Sequence, residues 1–258
     1  MKTKAAVVST GWVGDTIACT AAADCLSKNY SVDFYYRWPQ LTEILKLKTN
    51  LTPHLYNEKF LFILKLKLTL NPYEKVIWEP FPWSYKEPFT AEIRRLSGCS
   101  PATEYNLNFP SRDNRRAVDK KTITISKDIY KRAYGRNIEK LLISLSAISD
   151  IKWVGLDPEV DSKNGRKTSL YFAAETIADS DLFIGPEGGM LWLAAGLNVP
   201  TIYFTEHIDH ICNEKKNSSV FNSLGPANMF SENHTALPVN CSNEFAIEAI
   251  KKALQHNN

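Results

Sequence analysis

A chain of 258 residues has room for two domains of ordinary size. Its 44% hydrophobic and 23% charged content allows a buried core and excludes a disordered or low-complexity protein. A net charge of +3, from 31 basic and 28 acidic residues, makes no demand for a nucleic-acid partner.

In chain order, "KAAVVST" (4–10) predicts a buried strand and 14–28 a helix with one apolar face. The basic start and short apolar run are broken by Gly11, Gly14 and Asp15, so they read as a first core strand rather than a signal peptide. "VDFYYR" (32–37) is a second strand and 39–48 a helix, while the apolar run 59–68 fits a strand or a helix. Residues 75–80 form a strand and 89–98 a helix closed by Gly98.

The polar stretch from about 100 to 120 predicts a linker, dividing the chain into domains at 1–115 and 116–258. The alternation then restarts, with strands at 122–126, 151–156, 181–186 and 201–204. Helices are expected at 135–147, 169–180, 189–197 and 243–255. The fold class is α/β: two Rossmann-like parallel-sheet domains facing a cleft, with ligands at the carboxyl ends of the strands.

Five cysteines, Cys19, Cys25, Cys99, Cys212 and Cys241, show no C-x-x-C pair and no metal-ligand spacing. Their odd number predicts reduced thiols in a cytoplasmic protein. No stretch approaches the roughly 18 to 20 apolar residues of a membrane span, so a soluble chain is expected.

Three constellations carry possible chemistry. "STGWVGDT" (9–16) puts glycines and Asp15 between the first strand and helix, where Asp15 either favours the helix start or serves as a base. "TITISKDIYKRAYG" sets Lys127 just past a strand's carboxyl end, with Lys131 and Arg132 behind it; these hold phosphate oxygens or form a solvated basic turn. "FIGPEGGMLWLAAGLNVPTIYF" (183–204) places Glu187, Gly188 and Gly189 at a helix start, a position that favours anions and tolerates acids alike. "EHIDH" (206–210) has the residue types of a metal site but sits on one loop, so no metal is expected there.

In combination and order these stretches resemble the heptosyltransferase-like glycosyltransferases, family 9, over residues 1–28 and 121–205. The family signature, an acid, Thr or Ser, and Gly followed by x-x-His-x-Ala-Ala and a later Pro, is matched along "IGPEGGMLWLAAGLNVP". Glu187 stands for the usual aspartate, Gly188 for Thr or Ser, and Trp192 for the histidine. The resemblance implies a GT-B fold with a reduced N-terminal domain, and a donor that is a nucleotide-diphospho-sugar, with no cofactor. It implies Asp15 as general base and Lys127 as the cation on the leaving diphosphate. Gly14, Lys131, Arg132, Glu187, Gly188, Gly189, Met190 and Trp192 would then bind donor, and Trp12 and Trp83 acceptor.

The expected reaction moves a heptose or hexose to a hydroxyl of a glycan or lipid-linked acceptor, lipopolysaccharide or another surface glycan, by an inverting and metal-independent mechanism. Two alternatives remain open. One is a non-catalytic nucleotide-sugar-binding protein of the same fold. The other is transfer to modified nucleic acid, for which the aromatic stretch 77–89 could supply stacking.

Overall fold

The computed structural model describes residues 2–79, 89–100, 106–110, 120–130, 138–155, 170–205 and 234–255. Short runs of Val, Ala, Ile and Phe that are buried on both faces make parallel strands, and two such sheets form. The first has the order β3-β2-β1-β4, from β1 (Lys4–Val8), β2 (Ser31–Tyr36), β3 (Thr52–Leu55) and β4 (Tyr73–Trp78). The second has the order β6-β5-β7-β8-β9, from β5 (Lys121–Ser126), β6 (Ser149–Val154), β7 (Leu182–Pro186), β8 (Thr201–Thr205) and β9 (His234–Pro238). Every pairing is parallel.

Among the described residues the α-helices are α1 (Val13–Leu26), α2 (Thr42–Lys46), α3 (Leu61–Leu70), α4 (Phe89–Leu96), α5 (Ile138–Ser146), α6 (Leu170–Ala178), α7 (Gly189–Gly196) and α8 (Asn243–Gln255). The apolar run left open between strand and helix is the helix α3. Gly98, at φ 74°, follows α4 in the left-handed region as expected. Strands β3 and β9 were not anticipated. Each is short and carries a proline, Pro53 or Pro238, and both lie at sheet edges, where a missing N–H costs no ladder bond.

Ten of the fourteen residues of α1 are buried, so it is an internal helix rather than a one-sided surface helix. Its run of small residues, Ala18 and Ala21–Ala22–Ala23 among them, lets it pack closely against α7 of the second half. One buried cluster accordingly runs from Ala5 and Phe34 through α1 into Leu191, Leu193 and Tyr203. A second core of Ile123, Ile184, Ile202 and Ile250 fills the other face of the second sheet.

The described part of the expected linker is ordered against both halves. The ammonium of Lys48, buried and 2.6 Å from Asp24, donates to the Asn106 carbonyl. Leu107 is fully buried and its N–H bonds the Gly196 carbonyl at 2.8 Å. The expected boundary at 115/116 lies outside the described residues.

The expectation of reduced thiols is corrected for one pair. Cys25, near the end of α1, and Cys99, just past α4, form a disulfide across 74 residues of sequence. Cys19 is a buried free thiol, and Cys212 lies outside the described residues. α1 and α4 pack together, and that contact brings the two sulfurs within reach.

Candidate active site

In a parallel sheet, ligands gather where the strand order reverses, beyond the carboxyl ends of two neighbouring strands. The reversals here fall between β1 and β4 and between β5 and β7. The loop after β1 holds Ser9, Thr10, Gly11 and Trp12, and the residue after β4 is Glu79. The turn after β5 holds Lys127, and that after β7 holds Glu187, Gly188 and Gly189.

At the first reversal the register sets Val8 opposite Trp78, and the Glu79 N–H continues the ladder to the Val8 carbonyl. The buried Glu79 carboxylate then reaches into the β1 loop. Its Oε2 accepts hydrogen bonds from the Ser9 hydroxyl, the Thr10 N–H and the Gly11 N–H, each at 2.7 Å. The Ser9 hydroxyl is also 2.8 Å from that of Thr16, which lies 3.0 Å from the Trp12 carbonyl. Burial pushes the Glu79 carboxyl above its ordinary pKa and the Asp15 charge adds to this, against the opposing hydrogen bonds. Glu79 was not among the residues singled out from sequence. Its one signal was an acid at the carboxyl end of an apolar strand.

Asp15 stands on the first turn of α1, and its Oδ2 accepts the Trp12 N–H at 2.8 Å. That bond satisfies a donor at the helix start. Burial raises the Asp15 pKa; the Trp12 bond and the Arg37 charge partly offset it. Gly11 lies between the two carboxylates: a Cβ there would run into Glu79 Oε1 and come within 2.7 Å of Asp15 Oδ2. Only glycine lets the backbone come this close.

Gly11 also fixes an aromatic platform. Its carbonyl accepts from Arg37 Nε at 3.0 Å and from Trp38 Nε1 at 2.7 Å. The Trp38 ring stacks on Trp12 at 5.5 Å, and the Arg37 guanidinium lies 4.9 Å above the Trp38 ring. Trp12 remains 71% exposed. Arg37 and Trp38 line a cavity of about 510 Å³ with Leu55, Tyr56 and Glu58.

The two halves meet at their helix starts. A Cβ on Gly14 would lie 2.6 Å from Trp192 Cδ1 and 3.4 Å from the Gly189 Cα. The structure therefore brings Asp15, Gly14, Gly189 and Trp192 together. Trp192 is half-buried with its indole edge on Gly14 and packs against the shared core. The Met190 side chain belongs to that core as well. Gly188 caps α7 at φ 147°, a conformation that suits glycine alone, and it is exposed. Glu187, beside it, is half-buried.

Lys127 follows β5, whose Ile125 pairs with Ile184 of β7, so it belongs to the second reversal along with Glu187. Its side-chain stem lies against Gly155, where a Cβ would come within 3.0 Å. Lys131, Arg132, Trp83 and the 206–210 loop lie outside the described residues.

Two parallel-sheet halves joined through facing helix starts define the architecture: a two-domain α/β fold of the GT-B type. Several solved structures share it along nearly their whole length. E. coli heptosyltransferase WaaC with ADP superposes with a TM-score of 0.67 at 12% identity, covering 97% of this chain and 99% of that one. The glycosyl transferase family 9 protein from Veillonella parvula gives 0.67 at 10% identity, covering 99% and 98%. E. coli ADP-heptose lps heptosyltransferase II gives 0.63 at 11% identity, covering 99% of each chain. No family model matches the sequence, and no curated protein matches it.

Proposed function

We propose that the protein is an inverting, metal-independent glycosyltransferase that moves a hexose or heptose from a nucleotide-diphospho-sugar to a hydroxyl of a glycan or lipid-linked acceptor. The observation that carries this reading is the position of Asp15. It is a half-buried carboxylate of raised pKa, set where the starts of α1 and α7 meet. The structural likeness to a protein solved with ADP supports a donor whose leaving group is a nucleoside diphosphate.

In this reading the acceptor oxygen attacks the anomeric carbon while its proton passes to Asp15. The bond from that carbon to the diphosphate breaks, and the nucleoside diphosphate leaves with the electron pair. Lys127, with Lys131 and Arg132, neutralises the charge that develops on it. The first N–H groups of α7, at Gly188, Gly189 and Met190, have no acceptor within the helix and face the phosphates. Glu187 accepts hydrogen bonds from donor hydroxyls. Trp192, committed to Gly14, shapes the wall of the donor site in place of the family histidine. Trp12, exposed and backed by the stacked Trp38 ring, offers a flat apolar face to the acceptor sugar, and Trp83 is assigned to the same acceptor.

Asp15→Asn tests the mechanism, because the amide oxygen can still accept the Trp12 N–H while the base is lost. We expect transfer from ADP-sugars to fall by about 10²- to 10⁴-fold with ADP binding retained. The acid limb of the wild-type pH–rate profile should lie above the ordinary aspartate pKa of 3.8, as burial dictates. Transfer that survives the substitution removes Asp15 as base. ADP-sugar binding without transfer or hydrolysis by the wild type identifies a non-catalytic binding protein.

A further inference from the structure

Helix α3 has two apolar faces and only one is used. At about 100° per residue, Leu64 and Leu68 point to the core of the first sheet and are buried there. Phe62, Ile63, Leu66 and Leu70 fall within an arc of about 100° on the opposite side. Phe62 is 78% and Leu70 76% exposed, with Ile63 and Leu66 also exposed. Phe60, just before the helix and likewise exposed, extends the stripe. The inner leucines already anchor α3, so the outer stripe is surplus to the fold. A contiguous apolar patch of this kind marks a surface that meets something else.

We propose that α3 docks the protein on the surface of an anionic lipid bilayer, with the Phe62–Leu70 stripe entering the interface between headgroups and acyl chains. Charge selects this occupant. Lys65 and Lys67 flank the stripe on either side and Lys59 precedes it, and no residue of α3 is acidic. The carboxylate nearest in sequence, Glu58, is held by Arg37 at 2.6 Å. A cationic rim around an apolar stripe is the pattern of helices that lie in the plane of anionic membranes. A second copy of the chain fits less well, because a two-fold contact between α3 helices would set lysines against lysines.

No helix among the described residues is long and apolar enough to cross a membrane, so the contact is peripheral. The inner side of α3 also lines a cavity of about 520 Å³ with Thr10, Trp78 and Glu79. Lys65 stands at that cavity with its ammonium 5.6 Å from the Trp78 ring. A docked α3 would therefore open the bilayer surface toward the loop that precedes Asp15, which suits a lipid-linked acceptor. That last consequence rests on the proposed glycosyltransferase function; the docking itself rests on α3 alone.

The test is flotation of the full chain with phosphatidylcholine vesicles with and without phosphatidylglycerol. Binding is expected with phosphatidylglycerol only, weakening as salt rises. The exposed-site variant F62S/L66S/L70S should lose about tenfold or more in partitioning, and K59E/K67E should lose the preference for phosphatidylglycerol. Should the serine variant fail to fold, K59E/K67E decides alone. A wild-type chain that stays unbound at low salt overturns the proposal, as does binding equal in all variants. So does a dimer in sedimentation velocity that F62S/L66S/L70S dissolves. Thermal stabilisation by ADP, measured on the same proteins, reports separately on the donor site, so the two readings fail independently.

Discussion

The two strand-order reversals are built alike and filled differently. At the β1/β4 reversal the backbone makes an anion cradle from the Thr10 and Gly11 N–H groups, and the chain fills it with its own Glu79. At the β5/β7 reversal, Gly188 leaves the start of α7 exposed, and Lys127 follows the neighbouring strand. The first reversal is thus filled from within, which stiffens the loop that holds Asp15 and the Trp12–Trp38 platform. Under the proposed function, the phosphate falls to the second half.

Removing the internal anion is the largest test of this contrast. Glu79→Ala leaves three buried or half-buried donors without their acceptor and should cost about 3 kcal/mol of stability, read as a lower denaturation midpoint. Sulfate or formate should then stabilise the variant more than the wild type by entering the vacated cradle. Equal salt effects on both would show that Glu79 is not a stand-in for an external anion.

The seam between the halves comes next. Gly14→Ala drives a methyl into Trp192 and should cost about 2 kcal/mol as overpacking. Once Trp192→Ala has cleared that space, the same change should become neutral or stabilise by up to about 1 kcal/mol, since alanine is the better helix former. A cost that persists in the double variant would place the strain elsewhere.

The smallest effect on stability is expected at Glu187. Glu187→Gln should lower ADP-sugar affinity by roughly one to two decades, the value of a charged hydrogen bond. Its melting temperature should change little. A shifted melt with unchanged affinity would instead make Glu187 a helix-start acid, like Asp15 in its capping role, worth about 0.3 to 1 kcal/mol.

Most of the strand and helix order was legible because strands buried on both faces read as short continuous apolar runs, separated by longer helical stretches and turn residues. The edge strands β3 and β9 leave almost none: each is four or five residues long and includes a proline. The motif residues Asp15 and Glu187 were legible from their places at helix starts. Glu79 was not, since its meaning comes from a loop 68 to 70 residues earlier in the chain. Sequence likewise offered nothing to pair Cys25 with Cys99, because only the packing of α1 on α4 brings them together. The capping bond and the burial of Asp15 show that the modest reading and the chemical one are compatible. The bond that caps α1 also aims the carboxylate.

The buried cluster that passes from the first sheet through α1 and α7 into the second half governs how the molecule can move. Swinging the halves apart about a hinge would tear open a contiguous apolar interior and expose the alanine face of α1 to water. At about 25 cal/mol for every Å² uncovered, a wide gape is prohibitive. Small sliding of one helix along the other keeps the contact intact, and packed helices commonly move this way. The axle for such sliding is α1, pinned near one end by the Cys25–Cys99 bridge and at the other by Gly14 against Trp192. A ligand arriving at the start of α7 would therefore enter along the rim, and the molecule would move by shear rather than by opening like a jaw.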